Sequence, residues 1–152
     1  MKEKHVLELA NILGYKIEKK TIYGVSNGYH FSLNPLPNKN ILTYQVSILV
    51  NKVMTLDNIK NIRKELQSVV SMNEEHNAFL LQARINFPKE NENKKNFFVG
   101  FMNSLTKALQ KEDIYEYNRC LFCNDDKRSQ EKDWMVINKL YTLSHKSCAK
   151  ED

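Results

Sequence analysis

The stretch "ILTYQVSILV" (residues 41–50) decides how the chain is read. Leu42, Tyr44, Val46, Ile48 and Val50 fall on one side of it, and Thr43, Gln45 and Ser47 on the other. Successive strand residues point to opposite sheet faces, so the alternation predicts a strand with one apolar and one wet face. Phe79, Leu81, Ala83, Ile85 and Phe87 repeat the pattern and predict a second such strand, ended by Pro88. Upstream, "TIYGVSNGYHFSLN" (21–34) sets Asn27-Gly28 between two β-rich runs. Both residues tolerate the positive φ of a type I′ turn, which predicts a hairpin whose second strand points Tyr29, Phe31 and Leu33 to one face.

Helical spacing supplies the other layer. Val6, Leu9, Ala10 and Leu13 predict a helix over residues 3–13 that stops at Gly14. Thr55 can cap a helix reaching about Val70, with Leu56, Ile59, Ile62, Leu66 and Val69 on its buried stripe. "SMNEEHN" (71–77) reads as a polar turn and "KENENKK" (89–95) as a solvated connector. Phe97, Phe98, Phe101, Met102, Leu105, Ala108 and Leu109 then make the broadest apolar stripe of the chain, the pattern of a core helix laid across the sheet. The expected fold is α+β: an antiparallel sheet of about four strands, covered by helices on one face and wet on the other. This domain is expected over residues 1–115, followed by a small module over 116–152.

Bulk properties narrow the class. With 152 residues, 41% hydrophobic, 10% aromatic and 27% charged, the chain has the composition of a globular domain with a small appendage. The net charge of +5 invites a nucleic-acid reading. However, 19 Lys stand beside only 4 Arg and 18 Asn, the bias of an AT-rich coding sequence rather than of phosphate-gripping Arg forks. The first twenty residues do not read as a secretory signal, because Glu8 and Asn11 interrupt the apolar run. The longest uncharged run, residues 21–38, holds two prolines and cannot cross a bilayer as a helix. No membrane insertion is expected of the visible residues, and the expected location is the cytoplasm.

The three cysteines carry the sharpest signal. "CLFCN" (120–124) places Cys120 and Cys123 two residues apart, and "SHKSC" (144–148) gives His145 and Cys148 the same spacing. Zinc takes four soft or borderline donors in a tetrahedron, and pairs of this spacing are a common way to supply them. The two pairs use every cysteine, and 21 residues separate them. One structural zinc is expected on Cys120, Cys123, His145 and Cys148. A redox pair would want its C-x-x-C in an electropositive setting, whereas Asp125 and Asp126 follow here. Unconnected reduced thiols are the bland alternative.

Between the pairs, "WMVINKLYTL" (134–143) reads as a hairpin turning at Asn138-Lys139, with Trp134, Val136, Leu140 and Leu143 as a mini-core. Ser144 would cap a helix carrying His145 and Cys148 in its first turn. A two-cysteine turn, a hairpin and a ligand-bearing helix resemble the treble-clef zinc fingers over residues 119–152. That resemblance implies a fold and a metal but no activity.

No catalytic site emerges. His5, His30 and His76 share no partner spacing and read as surface histidines, and Glu74-Glu75 reads as a solvated turn. With four glycines, the chain has no phosphate-binding loop. We expect a non-enzymatic interaction or regulatory module that recognises a protein partner. The alternatives are a nucleic-acid binder, with Lys16, Lys19, Lys20, Lys60, Arg63 and Lys64 as its patch, or an unrecognised enzyme. The helix expected from about His145 would have only two turns, which suggests the soluble cytoplasmic part of a longer protein whose further part could be a membrane segment.

Overall fold

The computed structural model describes residues 2–37, 39–126 and 132–149. Helix α1 (Lys2–Leu13) comes first, followed by strands β1 (Lys16–Glu18), β2 (Thr21–Ser26), β3 (Tyr29–Pro35) and β4 (Thr43–Val50). Helix α2 (Leu56–Leu66), strands β5 (Val70–Glu75) and β6 (Ala78–Asn86) and helix α3 (Asn91–Lys111) follow, then strands β7 (Lys132–Ile137) and β8 (Leu140–His145). The first six strands form one antiparallel sheet in the order β1-β2-β3-β4-β6-β5, while β7 and β8 form a separate ribbon. The expected α+β class holds, with a larger sheet than the four strands foreseen.

The predicted hairpin turns at Asn27 (φ 50°) and Gly28 (φ 86°), pairing Ser26 with Tyr29. From β3, β4 and β6, the side chains of Phe31, Leu33, Val46, Ile48, Leu81 and Ile85 enter one core with Leu9, Phe98, Met102, Leu105 and Leu109 of the helices. Fully burying one such side chain stabilises by about 1.5–3 kcal/mol. Tyr15 stands edge-on to both Phe31 (5.1 Å) and Phe98 (5.7 Å), closing the core beneath α1.

Four local expectations are corrected. Residues 71–77 are not all turn: residues 70–75 are edge strand β5, and only His76 and Asn77 turn the chain into β6. An edge strand is wet along one side, so Ser71, Asn73 and Glu74 lack the apolar alternation of a central strand. Helix α2 stops early because Gln67 adopts a left-handed conformation (φ 52°); Leu56 is 86% exposed and Val69 48%, leaving Ile62 as the buried anchor of its stripe. The Thr55 cap is present, with its hydroxyl accepting from Asn58 N at 3.1 Å. Most of "KENENKK" is the exposed first turn of α3 rather than a connector.

The fourth correction matters most for the site. The second face of the sheet is not simply wet: Ser32, Thr43 and Ser47 are buried, and β8 packs against β2, β3 and β4. The chain reaches this face along residues 114–117, where Tyr117 N donates to Leu49 O (3.0 Å) and Asn51 N to Tyr115 O (2.9 Å). Leu49, Ala78 and Leu80 of the sheet then meet Tyr117, Leu121 and Leu140 in a second, smaller apolar cluster. No helix among the described residues is long and apolar enough to cross a membrane.

Candidate metal centre

The two-cysteine turn is built from a residue that tolerates positive φ and from a buried leucine. Asn124 (φ 57°) closes the turn by donating its N–H to Cys120 O at 2.9 Å. Leu121, 1% exposed, plugs the turn into the second cluster. The Tyr117 hydroxyl, its pKa pushed up to about 12 by burial, donates to Cys120 O (3.0 Å) and lies 2.7 Å from the Asn124 side chain. Asn77, in the β5–β6 turn, holds the knuckle from the other side. Its side-chain amide donates to Leu121 O (3.0 Å) and Phe122 O (2.7 Å).

The ribbon brings the second pair to the first. It turns at Asn138 (φ 50°) and Lys139 (φ 65°), as the sequence predicts, and its strands pair Lys132 with His145. Leu121 N donates to Leu143 O (3.0 Å), which sets the end of β8 beside the knuckle. The expected helix is not found in the described residues. Ser144 lies within β8 and donates to Met135 Sδ (3.3 Å) instead of capping, and residues 146–149 form a turn in which Cys148 N and Ala149 N both reach His145 O at 3.0 Å. The turn performs the task assigned to the helix, folding Cys148 back towards His145. Residues 150–152 lie outside the described residues.

Cys120, Cys123, His145 and Cys148 converge, with one donor atom from each lying within 4.8 Å of the other three. His145 Nδ1 is 3.2 Å from Cys123 Sγ and 3.9 Å from Cys148 Sγ. A zinc tetrahedron with Zn–S of about 2.3 Å and Zn–N of about 2.0 Å has S···N edges of about 3.5 Å, so the two observed edges bracket the required value. None of the three cysteines is in a disulfide. Cys120 and His145 are fully buried, whereas Cys123 is exposed. These four side chains can hold a metal ion.

The electrostatics differ between the two ends of the site. Burial pushes the Cys120 thiol up, but backbone N–H groups of His145, Cys123 and Phe122 directed at its sulfur outweigh this and bring its pKa below the usual thiol value. The His145 amide makes its contact at 3.4 Å. The Cys148 thiol is raised, first by burial and then by its hydrogen bond to Cys123. His145 presents Nδ1 to the sulfurs, and its buried Nε2 has no partner among the described residues.

The remaining singled-out residues are scattered, with one exception. His5 lies in α1, and His76 stands in the β5–β6 turn with its ring against Phe122. Lys16, Lys19 and Lys20 sit at the β1 edge, whereas Lys60, Arg63 and Lys64 belong to α2, which packs on β5 at the opposite edge; the sheet does not gather them into one patch. His30 is no ordinary surface histidine. Its ring stacks on Trp134 (centroids 3.6 Å apart, 10° between planes), its Nδ1 is 2.6 Å from Glu116 Oε1, and its backbone N–H donates to the same oxygen. Tyr141 completes the group against His30 (5.1 Å) and Tyr23 (4.6 Å). The contact joins residues more than 80 apart, so spacing in the sequence gives no sign of it.

No protein-family model, curated protein or solved structure matches the chain.

Proposed function

We propose that the chain is a non-enzymatic interaction or regulatory module whose C-terminal part is a treble-clef-like finger built on one structural zinc. The observation that carries this reading is the closed donor set: three thiols and one imidazole within 4.8 Å, two of them fully buried. Four protein ligands fill a tetrahedron and leave no position for substrate or water, which is the arrangement of structural rather than catalytic zinc. Backbone amides around Cys120 support the charged sulfur that a metal requires. The separation of the basic residues on opposite sheet edges favours a protein partner over a nucleic acid.

Elemental analysis of protein purified without oxidant tests the metal, and about one equivalent of zinc per chain is expected. A Cys120–Cys123 disulfide and no metal would overturn it. Fluorescence anisotropy with random DNA and RNA at several salt concentrations tests the partner class. Tight binding that weakens steeply with salt would replace the protein-partner reading with the nucleic-acid one.

A further inference from the structure

The four donors belong to two different pieces of structure. Cys120 and Cys123 sit on a knuckle fastened to the body through Tyr117, Leu121 and Asn77. His145 and Cys148 sit at the end of the β7–β8 ribbon, which lies on the second sheet face through the His30–Trp134 stack, the Tyr23–Tyr141 contact and a hydrogen bond from Asn34 Nδ2 to Lys139 O (2.9 Å). A two-stranded ribbon is at best marginally stable by itself in water. The contact is partly polar: Ser32 Oγ on the sheet and Thr142 Oγ1 on the ribbon are buried without partners among the described residues. Such a contact is weaker than the helix-side core, because each unpaired buried hydroxyl subtracts from it.

We propose that the metal acts as a clasp: its occupancy decides whether the ribbon covers the second sheet face or swings off it, while the helix-covered core stays folded either way. This deepens the zinc reading and rests on it. Release would uncover Leu49, Leu80 and Leu140 together with the faces of His30 and Trp134, so the module would present an apolar surface in the metal-free state alone. The coupling is reciprocal by thermodynamic necessity. Weakening the aromatic contact at His30 or Tyr23, both far from the donors in sequence and neither a donor, must therefore weaken metal binding.

Trp134 is the single tryptophan of the chain and reports the contact directly. The test uses the full chain loaded with zinc, then stripped with a chelator, with metal content measured in the same samples. Chelation should red-shift Trp134 emission, open it to acrylamide quenching and accelerate hydrogen exchange in residues 132–145, with exchange in β4 and α3 unchanged. In parallel, His30→Ala and Tyr23→Ala should each raise the zinc Kd by about fivefold or more, the lower end of typical coupling between sites. Having both variants guards against one of them misfolding. Stoichiometric zinc with unchanged Trp134 emission on chelation, and unchanged Kd in the folded variants, overturns the clasp and leaves the zinc reading standing. Loss of protection in β4 and α3 on chelation also overturns it, since the metal would then hold the core. If no zinc binds, both readings fall together.

Discussion

Replacing Cys120 or Cys148 by serine should weaken zinc binding unequally, and the structure sets the order. Apparent binding energies of structural zinc sites are about 10–16 kcal/mol, so an average ligand of four contributes about 2.5–4 kcal/mol, or roughly 100- to 1,000-fold in Kd. Cys120 should exceed that average. It is fully buried, its sulfur accepts the His145 amide at 3.4 Å, and it therefore joins knuckle to ribbon even apart from the metal. A serine there shortens the reach to the metal and replaces a charged sulfur with a neutral hydroxyl facing the same amides. Cys148 is half-buried on the terminal turn, where water can take the vacated position. Cys148→Ser should thus fall near the lower bound, while Cys120→Ser should reach the upper bound or beyond it. Competition against a chromophoric chelator gives both constants, and the visible absorption of cobalt-substituted protein checks that the geometry is tetrahedral. A Cys148→Ser loss equal to or larger than the Cys120→Ser loss would refute the argument from burial, and no loss in either would refute the site.

Three further outcomes are expected. A chain ending at Asn118 should melt cooperatively, because it keeps the helix-side core; one ending at Lys111 lacks fully buried Ile114, whose carbonyl accepts the Tyr29 hydroxyl, and should be less stable by about 2–5 kcal/mol in denaturant titrations. Thr55→Ala should cost about 1 kcal/mol through loss of the α2 cap, measured in the same way. The Tyr29, Tyr44 and Tyr117 hydroxyls are pushed up to about 12 by burial, so folding favours their neutral forms over those of an unfolded tyrosine near 10. That stabilisation is complete below pH about 10 and is lost as pH rises towards 12, so melting temperatures should fall across that window. A flat profile there would show that these hydroxyls are not buried as described.

The central strands and the donor quartet were legible in the sequence because each obeys a short-range rule. Two-residue periodicity marks β4 and β6, Asn27-Gly28 marks the β2–β3 turn, and the paired x2 spacings mark the four residues that converge, wherever the intervening residues go. Elements at the margins were not legible. Strand β5 is polar because one of its sides is a sheet edge, and β1 has only three residues, too few to show a period. The end of α2 depends on Gln67 taking a left-handed conformation, for which a glutamine carries no signal. The ribbon's docking on the sheet was hidden for a different reason. Thr43, Gln45 and Ser47 read as solvent-facing, and nothing local tells a polar face in water from one lying under another polar surface.

That hidden contact also explains why a metal would be needed at all. The helix-covered face closes on aromatic and branched side chains, and burying these is enough to hold α1 and α3 in place. On the opposite face, among the described residues, the second cluster has six buried members beside hydroxyls that find no partner. Apolar burial on that scale does not order the ribbon, the knuckle and the segment joining them, given about 1–2 kcal/mol of backbone entropy per residue fixed. Two additions would offset the deficit: the stack on Trp134, which pairs with Leu143 in the ribbon, and the donors at the end of β8. The His30–Trp134 stack, with Glu116 holding the imidazole, sets the ribbon on β3, and a metal on the four donors would fix its end against the knuckle. Under the clasp proposal the two are coupled. A metal-bound ribbon with no aromatic contact would pivot about the knuckle, and an undocked ribbon would leave His145 and Cys148 far from Cys120. The distance in sequence between His30 and the ligands is therefore no measure of its distance from the metal's energetics.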